Sequence, residues 1–162
     1  MTQLLSASVK TYVGRTVDLL AFDGAKASGE AKLIPVLVLP GQSGALITGI
    51  EKLVQRFLIE LLTERGSLEY QPSRGTFFLT RIRAGIVRTS QDLFSEFTIA
   101  EVELRNNLIL EESTTDPDDE RYQESRLLSA LLFGDQANLS IQVTSRAGES
   151  RTVIYPLRVT AI

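Results

Sequence analysis

At 162 residues the chain can form one domain, or one domain with an extension, and can bury a real hydrophobic core. Hydrophobic residues make up 43 % and charged residues 23 %, which is globular composition, and the net charge of −3 gives no reason to expect nucleic acid or an anionic membrane as a partner. Cysteine and histidine are both absent, which excludes disulfides, thiolate nucleophiles, Cys/His zinc sites and the commonest general base. No run approaches the ~18 apolar residues of a membrane span, and no basic stretch precedes an apolar one at the start, so no secretory signal is expected.

Residues 1–15 are weakly patterned. Residues 16–23 read as a short strand ending at the Asp23-Gly24 turn, and 24–32 as a small polar loop. The run at 33–41 is densely apolar and closes on Pro40-Gly41; Pro35 inside it marks an edge strand or a later strand start. It reads either as a core strand of a small sheet or as a strand facing a partner. From residue 49 to 64 the apolar side chains Ile50, Leu53, Val54, Phe57, Leu58, Leu61 and Leu62 recur at helical spacing and form one wide stripe. Thr48 and Glu51 have the spacing of a capping box, while Gly66 and Arg65 suit the helix C-terminus. Residues 67–75 are turn chemistry, with Pro72 and Gly75.

In 76–89, Phe78, Ile82 and Ile86 share a helical face. Arg74, Arg81, Arg83 and Arg88 make this the most basic stretch, and in an acidic chain they read as cations paired to acidic neighbours or as a solvated face rather than a nucleic-acid platform. Ser90 is the expected cap of a second long helix, 91 to about 111, with Asp92 in its first turn and a stripe of Leu93, Phe97, Ala100, Leu104 and Leu108. Residues 111–124 are an acidic block, expected to be a solvated loop. Two carboxylates there offer a glycosidase pair only if an apolar wall raises one pKa, and no such wall is visible. From Arg126 the period becomes two. Residues 126–133, 138–146 and 150–159, separated by Gly134-Asp135 and Ala147-Gly148, predict a three-stranded antiparallel meander whose last strand, bearing Pro156, runs along an edge.

The order Gln55, Leu61-Leu62-Thr63, Gly66, Pro72, Gly75, Thr76 resembles the baseplate wedge and sheath-initiator family of contractile phage tails and related injection systems, over roughly residues 46–159. That family opens its strand region with Glu-Pro-Arg. Glu124-Ser125-Arg126 stands at that place with serine for proline, and Asp119-Glu120-Arg121 is a rival match upstream. The resemblance implies that Glu124 and Arg126 meet neighbouring wedge subunits, since an arginine fork makes bidentate contacts to carboxylates.

The expected fold is α+β: two amphipathic helices packed on a small antiparallel sheet with a C-terminal three-stranded meander (46–162), plus a β-rich N-terminal extension (1–45). The resemblance implies a structural, non-enzymatic protein of the tail baseplate, assembled in the host cytoplasm into the virion in several copies, as a six-fold ring. Its implied partners are other wedge subunits, the tail sheath protein, and tube or hub proteins, with no cofactor, nucleic acid or membrane. The helix stripe, carried by Leu53, Phe57 and Leu61, is expected to pack on other subunits. The edge strand, carried by Arg151, Val153, Tyr155 and Leu157, is expected to take an extended arm of the sheath by strand addition. The alternatives are a tail or head–tail adaptor or completion protein, and a carboxylate-based glycan hydrolase.

Overall fold

The computed structural model describes residues 15–19 and 46–159. Most of the extension at 1–45, including the apolar run at 33–41, therefore lies outside the described residues. Within them the architecture is α+β, with three helices and a three-stranded antiparallel sheet. In chain order the elements are β1 (Asp18–Leu19), β2 (Leu46–Ile47), α1 (Ile50–Leu62), α2 (Phe78–Arg83), α3 (Ser90–Glu111), a 3₁₀ turn (Asp118–Glu120), β3 (Tyr122–Phe133), β4 (Gln136–Ser145) and β5 (Ser150–Arg158).

The stripe predicted for α1 is buried, but its start differs from the reading of Thr48 as a cap. Gly49, at φ +63°, is the N-cap and no side chain caps the helix; the Thr48 hydroxyl instead donates to Glu120 Oε1 at 2.8 Å. At the other end the helix stops at Leu62, because Thr63 turns extended while its amide and hydroxyl both return to the Ile59 carbonyl. Gly66 is left-handed (φ +85°), as a turn glycine should be, but it sits beyond the cap rather than at C′. The chain then loops back, so that Thr76 exchanges backbone bonds with Thr63 and Arg65 and its hydroxyl donates to the Leu61 carbonyl.

The second long helix, α3, starts one residue earlier than read. Thr89, not Ser90, is its cap: the Thr89 hydroxyl accepts from the Asp92 amide at 3.1 Å, and the Asp92 carboxylate accepts from the Thr89 amide at 2.8 Å. Between the two long helices lies α2, which covers the end of the core through Phe78 and Ile82.

The meander has the strand order β3-β4-β5 and runs in the predicted order around both predicted turns. Its first strand begins at Tyr122, four residues before Arg126, and carries irregularities at Tyr122/Glu124 and Leu127/Ser129. One face is interior: Ala137, Leu139, Ile141 and Val143 of β4 oppose Val153 and Leu157 of β5 and Ala130 of β3. The helices cover that face, α3 against β3 and α1 against β4 and β5. Phe57 stacks on Tyr122 with ring centroids 6.3 Å apart, and Phe78 meets Phe97 edge-on at 6.3 Å.

Candidate interaction surfaces

Buried carboxylates organise the loops of this fold. Glu60, on α1 and 1 % exposed, accepts from Arg74 Nε (2.8 Å), the Gly75 amide (2.8 Å) and Asn107 Nδ2 (2.6 Å). It thereby ties α1, the Pro72–Gly75 turn and α3 together. Gly75 is left-handed at φ +82°, and a Cβ there would collide with the Thr63 carbonyl, which explains why glycine closes this turn. Arg74 also pairs with Glu111, Arg81 with Glu96 and Arg83 with Glu64. Three of the arginines of the basic stretch are thus engaged with carboxylates of this same chain.

The acidic block is a correction to the expected solvated loop. Glu120 is 1 % exposed and accepts from Thr48, the Gly49 amide, Thr16 and Lys52, whose Nζ lies 2.7 Å from Oε2. Burial pushes the Glu120 pKa up, but the Lys52 ammonium and the hydroxyl and amide donors outweigh it, and the group sits below its ordinary value. Next to it Asp119 pairs with Arg15 at 2.5 Å, and Asp18 accepts from Gln55 Nε2 at 2.8 Å. Residues 15–18 are therefore fastened to the body by side chains as well as by the β1–β2 pairing. Glu112 accepts from the Tyr122 amide at 2.5 Å, while Arg146 (3.0 Å) and Arg121 (3.6 Å) flank its other oxygen.

The two rival triplets separate clearly. Asp119-Glu120-Arg121 directly precedes β3, whereas Glu124-Ser125-Arg126 lies inside the strand. Glu124 and Arg126 pair with each other at 3.0 Å on the exposed side. Both line a groove of about 530 Å³ between β3 and α3, together with Phe94, Phe97, Glu101 and Arg105. Two of the lining residues share the Tyr122 hydroxyl, which donates to Glu101 Oε1 (2.9 Å) and lies 2.8 Å from Ser125 Oγ. Burial, with the Glu101 carboxylate adding to it, pushes the Tyr122 phenol well above its usual range.

The helix residues expected at a subunit interface are placed elsewhere. Leu53, Phe57 and Leu61 are 1 %, 0 % and 1 % exposed within the chain's own core, so the sheet and α3, not another subunit, cover that stripe. Of the edge-strand candidates, Val153 and Leu157 also point into the core. Tyr155 packs partly against it, with its phenol raised by burial, and Arg151 reaches Glu51 at 3.5 Å. Side chains of β5 are thus largely engaged, and among the described residues no strand pairs with β5 except β4, or with β3 except β4. The outward face of the sheet carries exposed Leu131 and Phe133 on β3.

Among the described residues no group of three acidic, histidine or cysteine side chains is placed to hold a metal ion. No helix among them is long and apolar enough to cross a membrane. No family model, curated protein or solved structure matches the chain.

Proposed function

We propose that the chain is a structural subunit of a contractile tail baseplate, a wedge or sheath-initiator protein, which seats a sheath subunit by strand addition along β5. The single observation that carries this reading is a sheet edge that is long, regular and paired on one side only among the described residues. Support also comes from the ordered motif of Leu61-Leu62-Thr63, Gly66, Pro72 and Gly75, whose turn Glu60 holds in place. The helical stripe is not part of the reading, because the chain fills it itself. Partner contacts are assigned to the sheet.

An edge proline faces its nitrogen away from the ladder. Pro156 opposite Asn138 fixes that orientation, and the alternation of an antiparallel strand then turns the backbone groups of Thr152 and Ile154 outward as well. These are the positions at which an incoming arm makes its first backbone bonds. Coexpression with the tail sheath protein of the same particle tests this. The wild-type chain is expected to copurify with it. Thr152→Pro together with Ile154→Pro removes two outward amides along with two half-buried side chains, so it is expected to abolish copurification, whereas Thr152→Ala together with Ile154→Ala, which loses the same side chains and keeps the amides, is expected to retain the sheath protein. Retention of the sheath protein by the proline variant, or no retention by the wild type, overturns the reading.

A further inference from the structure

The opposite edge of the sheet has a different character. Five successive residues of β3, 123–127, line the groove beside α3, so the groove is bordered by the strand's backbone edge and not by one of its faces. The facing wall comes from one side of α3: Phe94, Phe97, Thr98, Glu101 and Arg105. A strand edge and a helix flanking a trough of about 530 Å³ leave room for one extended segment between them. Tyr122, immediately before, already has its amide occupied by Glu112, which sets where such pairing stops.

The charges in the groove are unequal in their engagement. Glu101 holds the Tyr122 hydroxyl, and Glu124 and Arg126 hold each other. Arg105 is exposed and, among the described residues, makes no ion pair. It stands one turn along the helix from Glu101 and about two turns from Phe97, so a strand lying in the trough passes the aromatic end first and the guanidinium second.

The geometry points to a second docking site: an extended segment of a partner protein adds a strand to the edge of β3 that no described strand pairs with, sets an apolar side chain against Phe94 and Leu127, and directs an acidic side chain to Arg105. This goes beyond the baseplate reading and does not depend on it, since the groove requires only a partner with that alternation of apolar and acidic residues. Backbone pairing supplies the affinity, and Arg105 supplies the choice among sequences.

The test uses the full chain and a library of randomised peptides of about seven residues, long enough to span five edge positions at ~3.4 Å each with a flank at either end. The wild-type chain is expected to select peptides with Asp or Glu at a fixed spacing from a bulky apolar residue. Arg105→Glu, an exposed change, is expected to weaken those peptides about tenfold and to select Lys or Arg at the same place. Amide exchange at residues 123–127 is expected to slow when a selected peptide binds. No selection at all, selection that Arg105→Glu leaves unchanged, or protection appearing on β5 instead overturns the proposal. So does slow exchange at 123–127 in the free chain, which would mean that another part of this chain or a second copy already occupies the edge. Failure here leaves the copurification through β5 untouched, and the reverse also holds.

Discussion

Replacing Glu60 by alanine should unfold this protein at a distinctly lower denaturant concentration, and the size of the effect follows from its partners. The carboxylate is buried and receives Arg74, the buried Gly75 amide and Asn107 at 2.6–2.8 Å. Removing it orphans the Gly75 amide and leaves Arg74 with Glu111 alone. Breaking a buried ion pair from one side costs about 3–5 kcal/mol. Arg74 is 22 % exposed and keeps its second carboxylate, so the lower end, about 3 kcal/mol, applies. A domain of this size loses ~2–4 °C of Tm per kcal/mol, which gives a fall of about 6–12 °C. Glu60→Gln keeps one acceptor for Gly75 and should cost about 2 kcal/mol. Urea unfolding followed by far-UV circular dichroism measures both losses and a thermal melt the fall in Tm, with Arg74→Ala and the double variant closing a cycle. The double variant should cost at least about 1 kcal/mol less than the sum of the singles. A Glu60→Ala loss under about 1 kcal/mol, or singles that simply add, would refute the role given to this carboxylate.

Other perturbations separate cleanly. Gly75→Ala should cost more than about 2 kcal/mol, whereas Gly66→Ala, equally left-handed but with open space around its Cβ position, should cost about 1 kcal/mol, read from the same urea midpoints. Thr89→Ala removes the cap of α3 and should lower stability by about 1 kcal/mol, with the earliest exchange appearing in the first turn of that helix. Glu120 titrates below its ordinary value of 4.5, so its stabilisation is complete above that value and is lost as pH falls through the lower folded pKa. Urea midpoints measured across the acid range should therefore fall more steeply for the wild type than for Glu120→Gln. The Tyr122 phenol, held protonated by burial, should remain so beyond the alkaline range in which ordinary tyrosines ionise. Ultraviolet titration of wild type against Tyr122→Phe should show no phenolate lost with that ring until the chain unfolds.

The long helices and the meander were legible because each carries its period over many residues. The apolar spacing that begins at Ile50 and the alternation of Leu139, Ile141 and Val143 need no partner to be read. Helix ends were less legible. Thr48 and Thr89 each precede an acidic residue at capping distance, yet only Thr89 caps, because Glu120, far along the chain, takes the Thr48 hydroxyl. Nothing local to either threonine signals that difference. The start of β3 was hidden for a related reason: residues 122–125 interrupt the alternation with an irregularity, and Glu112 rather than a strand holds the Tyr122 amide. An apolar stripe also does not name what covers it: Leu53, Phe57 and Leu61 read in sequence as a subunit interface, and in the structure they lie inside the chain's own core.

The buried carboxylates were the largest gap. Glu60, Glu112 and Glu120 look in sequence like any surface glutamate, and their donors come from other elements, as with Lys52 and Thr48 for Glu120. A partial signal existed in the Pro72–Gly75 turn, where Arg74 lies next to a glycine whose amide needs an acceptor. The interaction surfaces proposed for the chain are backbone edges, and backbone pairing writes little into side chains.

The central claim is that partners complete the sheet and not the helices. A reconstruction of this chain bound to the proposed sheath partner tests it most directly. The account predicts an extended segment of another subunit hydrogen-bonded along β5 past Thr152 and Ile154, with Leu53, Phe57 and Leu61 still enclosed by their own chain. A bare β5 edge, with neighbouring subunits seated instead on an opened α1, would contradict it.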